Sequence, residues 1–341
     1  MIREAVYKIT ENCPCNCTFC DSREKFEKIL KRKTMSFNEW KEITDKLLRY
    51  GLEVVVLSGG EALLSEEITI SLINYLKKNG VYVVLNTSGI LFKNRNLMEK
   101  IKNNFPDLLV FSIDSSNKEQ HDMNRRMNGV FDEVINSIKY FKEQDGEYPL
   151  AIRTVITKQN YMQLPNIIKY FGNLGIDCIK LTNIENDRTG EFRLSLNELN
   201  KFDSNVRKKI LNNLKTINFA DKELEKEAVL KINKLLENKG DKYKNLDKGY
   251  FSPNLVGNAK CDLDGRFFAV QSNGDVLPCC EAEHHYYPIL GNLKKMSVEE
   301  IINSKEYKEY INKRLDYCIT CTQTHNIQIN FSRKGEKVNR R

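Results

Sequence analysis

The stretch Cys13-Pro14-Cys15-Asn16-Cys17-Thr18-Phe19-Cys20 concentrates thiols on one short loop. Within it, Cys13, Cys17 and Cys20 are spaced Cys-x3-Cys-x2-Cys. Three thiolates so placed can hold three irons of a [4Fe–4S] cube, a cluster that normally takes four cysteines. The fourth iron then lacks a protein ligand, and an open metal position can bind a small molecule, as catalytic metal sites do. Cys15 offers a second register, Cys15-x-Cys17-x2-Cys20, with less backbone between its first two ligands, so Cys13 is taken as the ligand. A zinc site is the alternative. It wants a fourth Cys or His, and Cys15, one residue away from Cys13 and from Cys17, is not at a usual zinc spacing.

A second group of cysteines lies near the carboxyl end. Cys261, Cys279, Cys318 and Cys321 supply four thiolates, enough for one more cluster, although the same set suits tetrahedral zinc. Asn273-Gly274-Asp275 is a hairpin-turn signal between Phe267–Gln271 and Val276–Cys280. Cys280, beside a proposed ligand, is a small buried residue, an alternative ligand or a reactive thiol.

The ten cysteines carry more weight for the fact that nothing else suggests secretion. The amino terminus, Met1-Ile2-Arg3-Glu4, lacks an apolar signal core, and no apolar run is long enough to suggest a membrane span. A cytoplasmic chain is expected, in which clustered reduced cysteines argue for metal. The net charge of +8 hints at an acidic partner, but Lys and Arg are spread along the sequence, so a solvated surface explains them and no nucleic acid is expected.

Positioning these residues calls for strands alternating with helices. Strands are expected at Glu4–Thr10, Glu53–Leu57, Val81–Leu85, Leu108–Ile113, Leu150–Ile156 and Asp177–Leu181. Helices are expected from the capping box Ser36/Glu39 to Tyr50, from Ser65 to near Gly80, at 130–144 and at Leu164–Gly175. Such alternation argues for a parallel sheet with right-handed crossovers, whose function gathers at the carboxyl ends of the strands. The cysteine loop, Ser58-Gly59-Gly60-Glu61, Asn86-Thr87-Ser88-Gly89 and the Ser112/Asp114 pair all fall at that rim.

The cysteine loop, with Phe19 just before its last cysteine, resembles the signature of the radical SAM superfamily. In that family the free iron chelates S-adenosylmethionine, and electron transfer from the cluster cleaves the sulfonium to give a 5′-deoxyadenosyl radical. The resemblance implies a partial (β/α)6 barrel over residues 1–183. It implies that Gly59, Gly60 and Glu61 bind the methionine end of the cofactor and that Thr87 reaches it. Phe111-Ser112-Ile113-Asp114 with Arg125 resembles the family's fourth-strand region, in which Ser112 contacts the ribose and Arg125 the cofactor carboxylate; adjacent Arg126 leaves that match open by one position. Asp114 and Phe19 belong to the same cofactor surroundings, and Leu181 can pack against adenine.

The carboxyl-terminal cysteines, with Gly291-Asn292-Leu293 and a helix after Ser297, look like a twitch domain, a shortened SPASM domain. On that likeness residues 261–325 form a small α+β module with a β-hairpin, and Cys261, Cys279, Cys318 and Cys321 hold a second [4Fe–4S] cluster. Residues 184–260 are expected as a helical linker or substrate-facing segment, and residues 326–341 as a basic tail. The resemblance implies hydrogen abstraction from a peptide or small polar substrate, with an electron donor such as flavodoxin or ferredoxin. A ribosomally made peptide is the favoured substrate, a sugar or aminocyclitol the alternative. Cys280 would be a hydrogen-atom donor if the reaction is an epimerisation. The contrasting reading is a zinc-bound, non-catalytic binding protein.

Overall fold

Buried and half-buried residues alternate along β1 (Glu4–Thr10), as one-sided burial of a strand requires. Ala5, Tyr7 and Ile9 share the buried face, and Tyr7 stacks on Trp40 of α1 (Phe37–Leu48) with ring centroids 4.7 Å apart. The expected capping box starts α1: Ser36 Oγ accepts from the Glu39 N–H, and the Ser36 N–H donates to the Glu39 carboxylate at 2.8 Å. The structure, a computed structural model, describes residues 1–20, 34–184, 190–237, 247, 265–279, 288–318 and 326–336.

The chain then alternates as expected through β2 (Val54–Gly59), α2 (Glu66–Lys78), β3 (Tyr82–Thr87), α3 (Arg95–Asn103), β4 (Leu108–Ser112), α4 (Lys118–Arg125), α5 (Val130–Glu143), β5 (Leu150–Ile156), α6 (Leu164–Asn173) and β6 (Cys178–Asn183). Strands β1 to β6 pair in sequence order, all parallel, giving the partial (β/α)6 barrel. One face packs on the helices in the main core. The opposite face carries a separate apolar cluster of Val84, Leu108, Val110, Ala151 and Cys178, with Val56 and Tyr82 against it.

Helices α3 and α4 are additions to the sequence reading. They are short and polar, with few apolar residues such as Leu97, Met98 and Ile101 in α3, so little apolar content marks them in the sequence. Other expectations are corrected. The hairpin β7 (Phe267–Val270) and β8 (Asp275–Leu277) pairs in parallel with β1, Glu4 opposite Phe267, and so extends the main sheet. Residues 326–341 are not a tail throughout. Ile327–Asn330 forms β10, antiparallel to β6, because its period-two pattern buries Ile329 completely. With β9 (Gly291–Asn292), the sheet has ten strands.

The segment expected as a linker also packs. Helix α7 (Leu196–Lys201) runs through a π turn into α8 (Arg207–Leu214), which lies on α6 and on α9 (Lys222–Lys234). Phe202, Val206, Ile210 and Ile232 are fully buried there. The Arg207 guanidinium donates to the carbonyls of Ile232, Asn233 and Leu236, stapling α8 to the end of α9.

Candidate active site

The cysteine loop leaves the carboxyl end of β1 and is gripped from the end of β2. The N–H groups of Gly60 and Glu61 donate to the carbonyls of Thr10 and Asn12, each at 2.7 Å. The approach is so close that a Cβ on Gly59 would stand 2.3 Å from the Thr10 oxygen, and one on Gly60 2.2 Å from the Asn12 oxygen. These glycines are therefore required for the backbone of the cysteine loop to pass.

Glu61 faces inward, 1% exposed. One carboxylate oxygen accepts from the Thr87 hydroxyl at 2.9 Å; the other accepts from the Ser88 N–H at 2.8 Å and the Ser88 hydroxyl at 2.6 Å. Thr87 Oγ1 also accepts from the Gly89 N–H at 3.0 Å. Glu61 thus ties the β2 turn to the β3 turn, and burial pushes its carboxyl above the ordinary carboxylate value despite these donors. The polar side chain of Thr87 is spent on the same tie. Ser88, the next residue of the same turn and without an expected role, supplies two of the bonds.

A second grip comes from α4, after β4. The carbonyls of Arg125 and Asn124 accept from the N–H groups of Asn16 at 3.1 Å and Thr18 at 2.9 Å. The Arg125 side chain turns inward beneath the loop. Its Nη2 donates to Asp114 Oδ1 at 2.9 Å, its Nε lies 2.7 Å from Asp114 Oδ2, and its Nη1 is 3.6 Å from the Cys17 sulfur. The guanidinium also lies over the Phe19 ring, 5.7 Å from its centroid. Burial opposes the charge on Asp114 and the guanidinium favours it. Asn160, missed in the sequence, anchors the strand ends beneath: its amide donates to the carbonyls of Asp114 at 3.1 Å and Val155 at 2.9 Å. His121 Nδ1 accepts from the Asp114 N–H at 3.2 Å, and burial and Arg125 hold the imidazole well below its ordinary pKa, so it is neutral and structural.

Residues 7–171 match the model of the Radical SAM superfamily, and residues 261–322 match that of an iron-sulfur cluster-binding domain, SPASM. Residues 7–171 form a radical SAM domain. Among curated relatives, an AdoMet-dependent heme synthase of Methanosarcina barkeri is 28% identical over 173 residues, 51% of this chain and 48% of its own. A PqqA peptide cyclase of Bradyrhizobium diazoefficiens is 25% identical over 178 residues, 52% of this chain and 45% of its own. The chain spans about half the length of these curated relatives. Among solved structures, Streptococcus suis SuiB bound to its precursor peptide SuiA has a TM-score of 0.65 at 17% identity, over 90% of this chain and 66% of that one. The anSMEcpe protein with bound AdoMet and a peptide has a TM-score of 0.64 at 20% identity, over 94% and 86%. At these identities the likeness is one of fold.

The two matched domains imply iron–sulfur clusters and S-adenosylmethionine, and the cysteine loop of the radical SAM domain fits such a cluster. Cys15 and Cys17 are buried, Cys13 and Cys20 half-buried. Contact with the Cys13 sulfur and burial push the Cys15 thiol up to about 11, and Cys17 is raised further by its contact with Cys15 and by burial. Iron reverses that balance, because a coordinating thiol is deprotonated. The Arg125 N–H already faces the Cys17 sulfur, where it favours thiolate. Among the described residues no three Cys, His, Asp or Glu side chains converge on one ion; a cube instead places its thiolates on separate irons.

Other expected site residues scatter. Ser112 is half-buried at the end of β4, on the face away from the helices. Leu181 is fully buried in the main core, on the opposite face from Cys178, which places it with the helices and away from the inner face where adenine was expected. Cys178 lies in the inner apolar cluster, its thiol pushed up to about 12 by burial. Cys279 is half-buried just beyond β8, and Cys318 ends the helix Lys305–Cys318. Cys261, Cys280 and Cys321 lie outside the described residues.

Proposed function

We propose that this chain is a radical SAM enzyme that reductively cleaves S-adenosylmethionine and removes a hydrogen atom from a C–H bond of a ribosomally made peptide. The observation that carries the reading is the Cys13/Cys17/Cys20 loop, braced at the rim of a radical SAM domain by the Gly59-Gly60-Glu61 turn and by Arg125. When bound, the cluster and the cofactor supply electron transfer and hydrogen abstraction; the protein supplies position and the exclusion of side reactions. Peptides as substrates are supported by relatives whose names or bound partners are peptides: the PqqA peptide cyclase, SuiB with SuiA, and anSMEcpe with its peptide. Epimerisation, cross-linking and oxidation are the outcomes within this reading.

The second cluster is assigned to Cys261, Cys279, Cys318 and Cys321, and the source of electrons to a flavodoxin or ferredoxin. Cys280 is the hydrogen-atom donor in the epimerase form of the proposal. The test is anaerobic reconstitution. Wild type should carry roughly eight irons, the content of two four-iron cubes, and form 5′-deoxyadenosine when reduced. Replacing Cys13, Cys17 and Cys20 by alanine should abolish that product. Replacing Cys318 and Cys321 should remove one cluster's iron and leave some cleavage. Continued cleavage by the first variant would refute the site.

A further inference from the structure

On the inner face of the sheet, apolar residues give way to polar ones toward the carboxyl ends of the strands. The apolar residues include Val56, Val84, Leu108, Val110, Ala151 and Cys178. Two residues past the last of these in each strand, and so on the same face, stand Ser58, Asn86, Ser112, Arg153 and Lys180; Lys8 holds the corresponding place in β1, opposite Ser58. Each of these residues is polar and half-buried or exposed, while most of the apolar residues before them are buried; by register Ser112, Arg153 and Lys180 form one polar row.

Arg153 is the departure from ordinary sheet design. It sits in β5, a central strand between β4 and β6, yet it is exposed on the inner face between buried Ile152 and buried Thr154. Pairing registers place Ser112 beside it on one side and Lys180 on the other, with Gln328 of β10 beyond. Like charges directly opposed across a sheet repel, yet Arg153 and Lys180 stand opposite each other in the register. Among the described residues the side chains of Lys8 and Arg153 make no hydrogen bond or ion pair. The nearby rim carboxylates are already engaged, Glu61 by Thr87 and Ser88 and Asp114 by Arg125. Glu4, on the inner face of β1, lies four residues before Lys8, about 13 Å at the rise of a strand.

A guanidinium whose donors are not engaged by described residues matches a planar oxyanion that accepts two parallel hydrogen bonds. We propose that Arg153, flanked by Lys180 and Ser112 on the inner face, binds a carboxylate of the substrate. On the peptide reading this is an acidic side chain or a chain terminus, and the proposal rests on that reading only for the identity of the molecule that carries the carboxylate.

The test uses the reconstituted full chain and glutarate as the probe. With S-adenosylmethionine saturating, glutarate should bind wild type by calorimetry, weaken as salt is raised, and bind Arg153→Gln at least tenfold more weakly, with Arg153→Lys between. The affinity for S-adenosylmethionine, read from its perturbation of the reduced cluster's EPR signal, should change less than twofold in Arg153→Gln. Unchanged circular dichroism and iron content would show that the variant is folded. Failure of glutarate to bind wild type, or equal binding to Arg153→Gln, overturns the site. Competition between glutarate and S-adenosylmethionine, with weakened cofactor binding in the variant, assigns the carboxylate to the cofactor and overturns the substrate assignment. An enzyme that binds glutarate through Arg153 but modifies no peptide would remove the peptide reading and keep the carboxylate site.

Discussion

Gly60 and Glu61 hold the cysteine loop through backbone N–H groups given to Thr10 and Asn12, whereas Arg125 holds it through a buried charge paired with Asp114. The first brace is neutral and limited by shape. It works because nothing larger than hydrogen fits between the β2 turn and the loop. The second is electrostatic. It works only while both partners are present, since a buried charge left alone is costly and an intact pair need not be more stabilising than apolar residues of similar volume. The difference teaches that one loop can fail in two ways, by steric displacement from one side and by an orphaned charge from the other.

The charged brace should break hardest. Arg125→Met leaves Asp114 buried without its partner, a loss of ~3–5 kcal/mol, and should show as a large fall in anaerobic thermal stability and in iron bound at the amino-terminal site. Adding Asp114→Leu to Arg125→Met should recover much of the thermal stability while leaving the Cys17 sulfur without its N–H neighbour. If the double variant is no more stable than the single one, the pair is not acting as an isolated charge couple.

The neutral brace should fail by displacement. Gly60→Ala places a methyl group against the Asn12 carbonyl, which is backbone and cannot swing aside. A cost of ~1–3 kcal/mol is expected for such overpacking, with reduced iron retention but little change in the salt dependence of stability. Normal iron content and stability in this variant would mean that the loop passes the turn less closely than 2.2 Å implies.

The smallest effect is expected at Glu61, where only neutral groups meet the carboxylate. Glu61→Gln keeps the shape and should cost ~1 kcal/mol, about one hydrogen bond. Because burial raises the folded-state pKa of Glu61 above its ordinary value of 4.5, the folded chain holds that proton more tightly than the unfolded one. The stability from Glu61 is therefore full below pH 4.5 and is lost as pH rises through the raised value. The advantage of wild type over Glu61→Gln should shrink over that rise in thermal melts. A difference that stays constant with pH would contradict the shift.

The braces also show how far local pattern reaches. The cysteine spacing, the six parallel strands and the capping box at Ser36 were legible because each is written within a few residues. Gly59 and Gly60 were legible as part of a motif at the rim; that the backbone of Thr10 and Asn12 passes against them was not. Glu61 and Thr87 were legible as polar rim residues; that each is occupied by the other is a contact across 26 positions.

What the sequence by itself determined was the inventory of elements and the three-cysteine loop, since hydrophobic period, turn chemistry and ligand spacing are short-range properties. What only the tertiary structure decided was partnership. Arg125 and Arg126 are adjacent and alike in sequence, yet a left-handed turn at Arg126, φ 50°, ends the helix so that Arg126 is exposed and Arg125 buried against Asp114 and Cys17. The hairpin from 267 to 277 and the strand at 327–330 found their places beside β1 and β6 because open sheet edges offer hydrogen bonds to whichever apolar strand can reach them, and no local pattern names that strand.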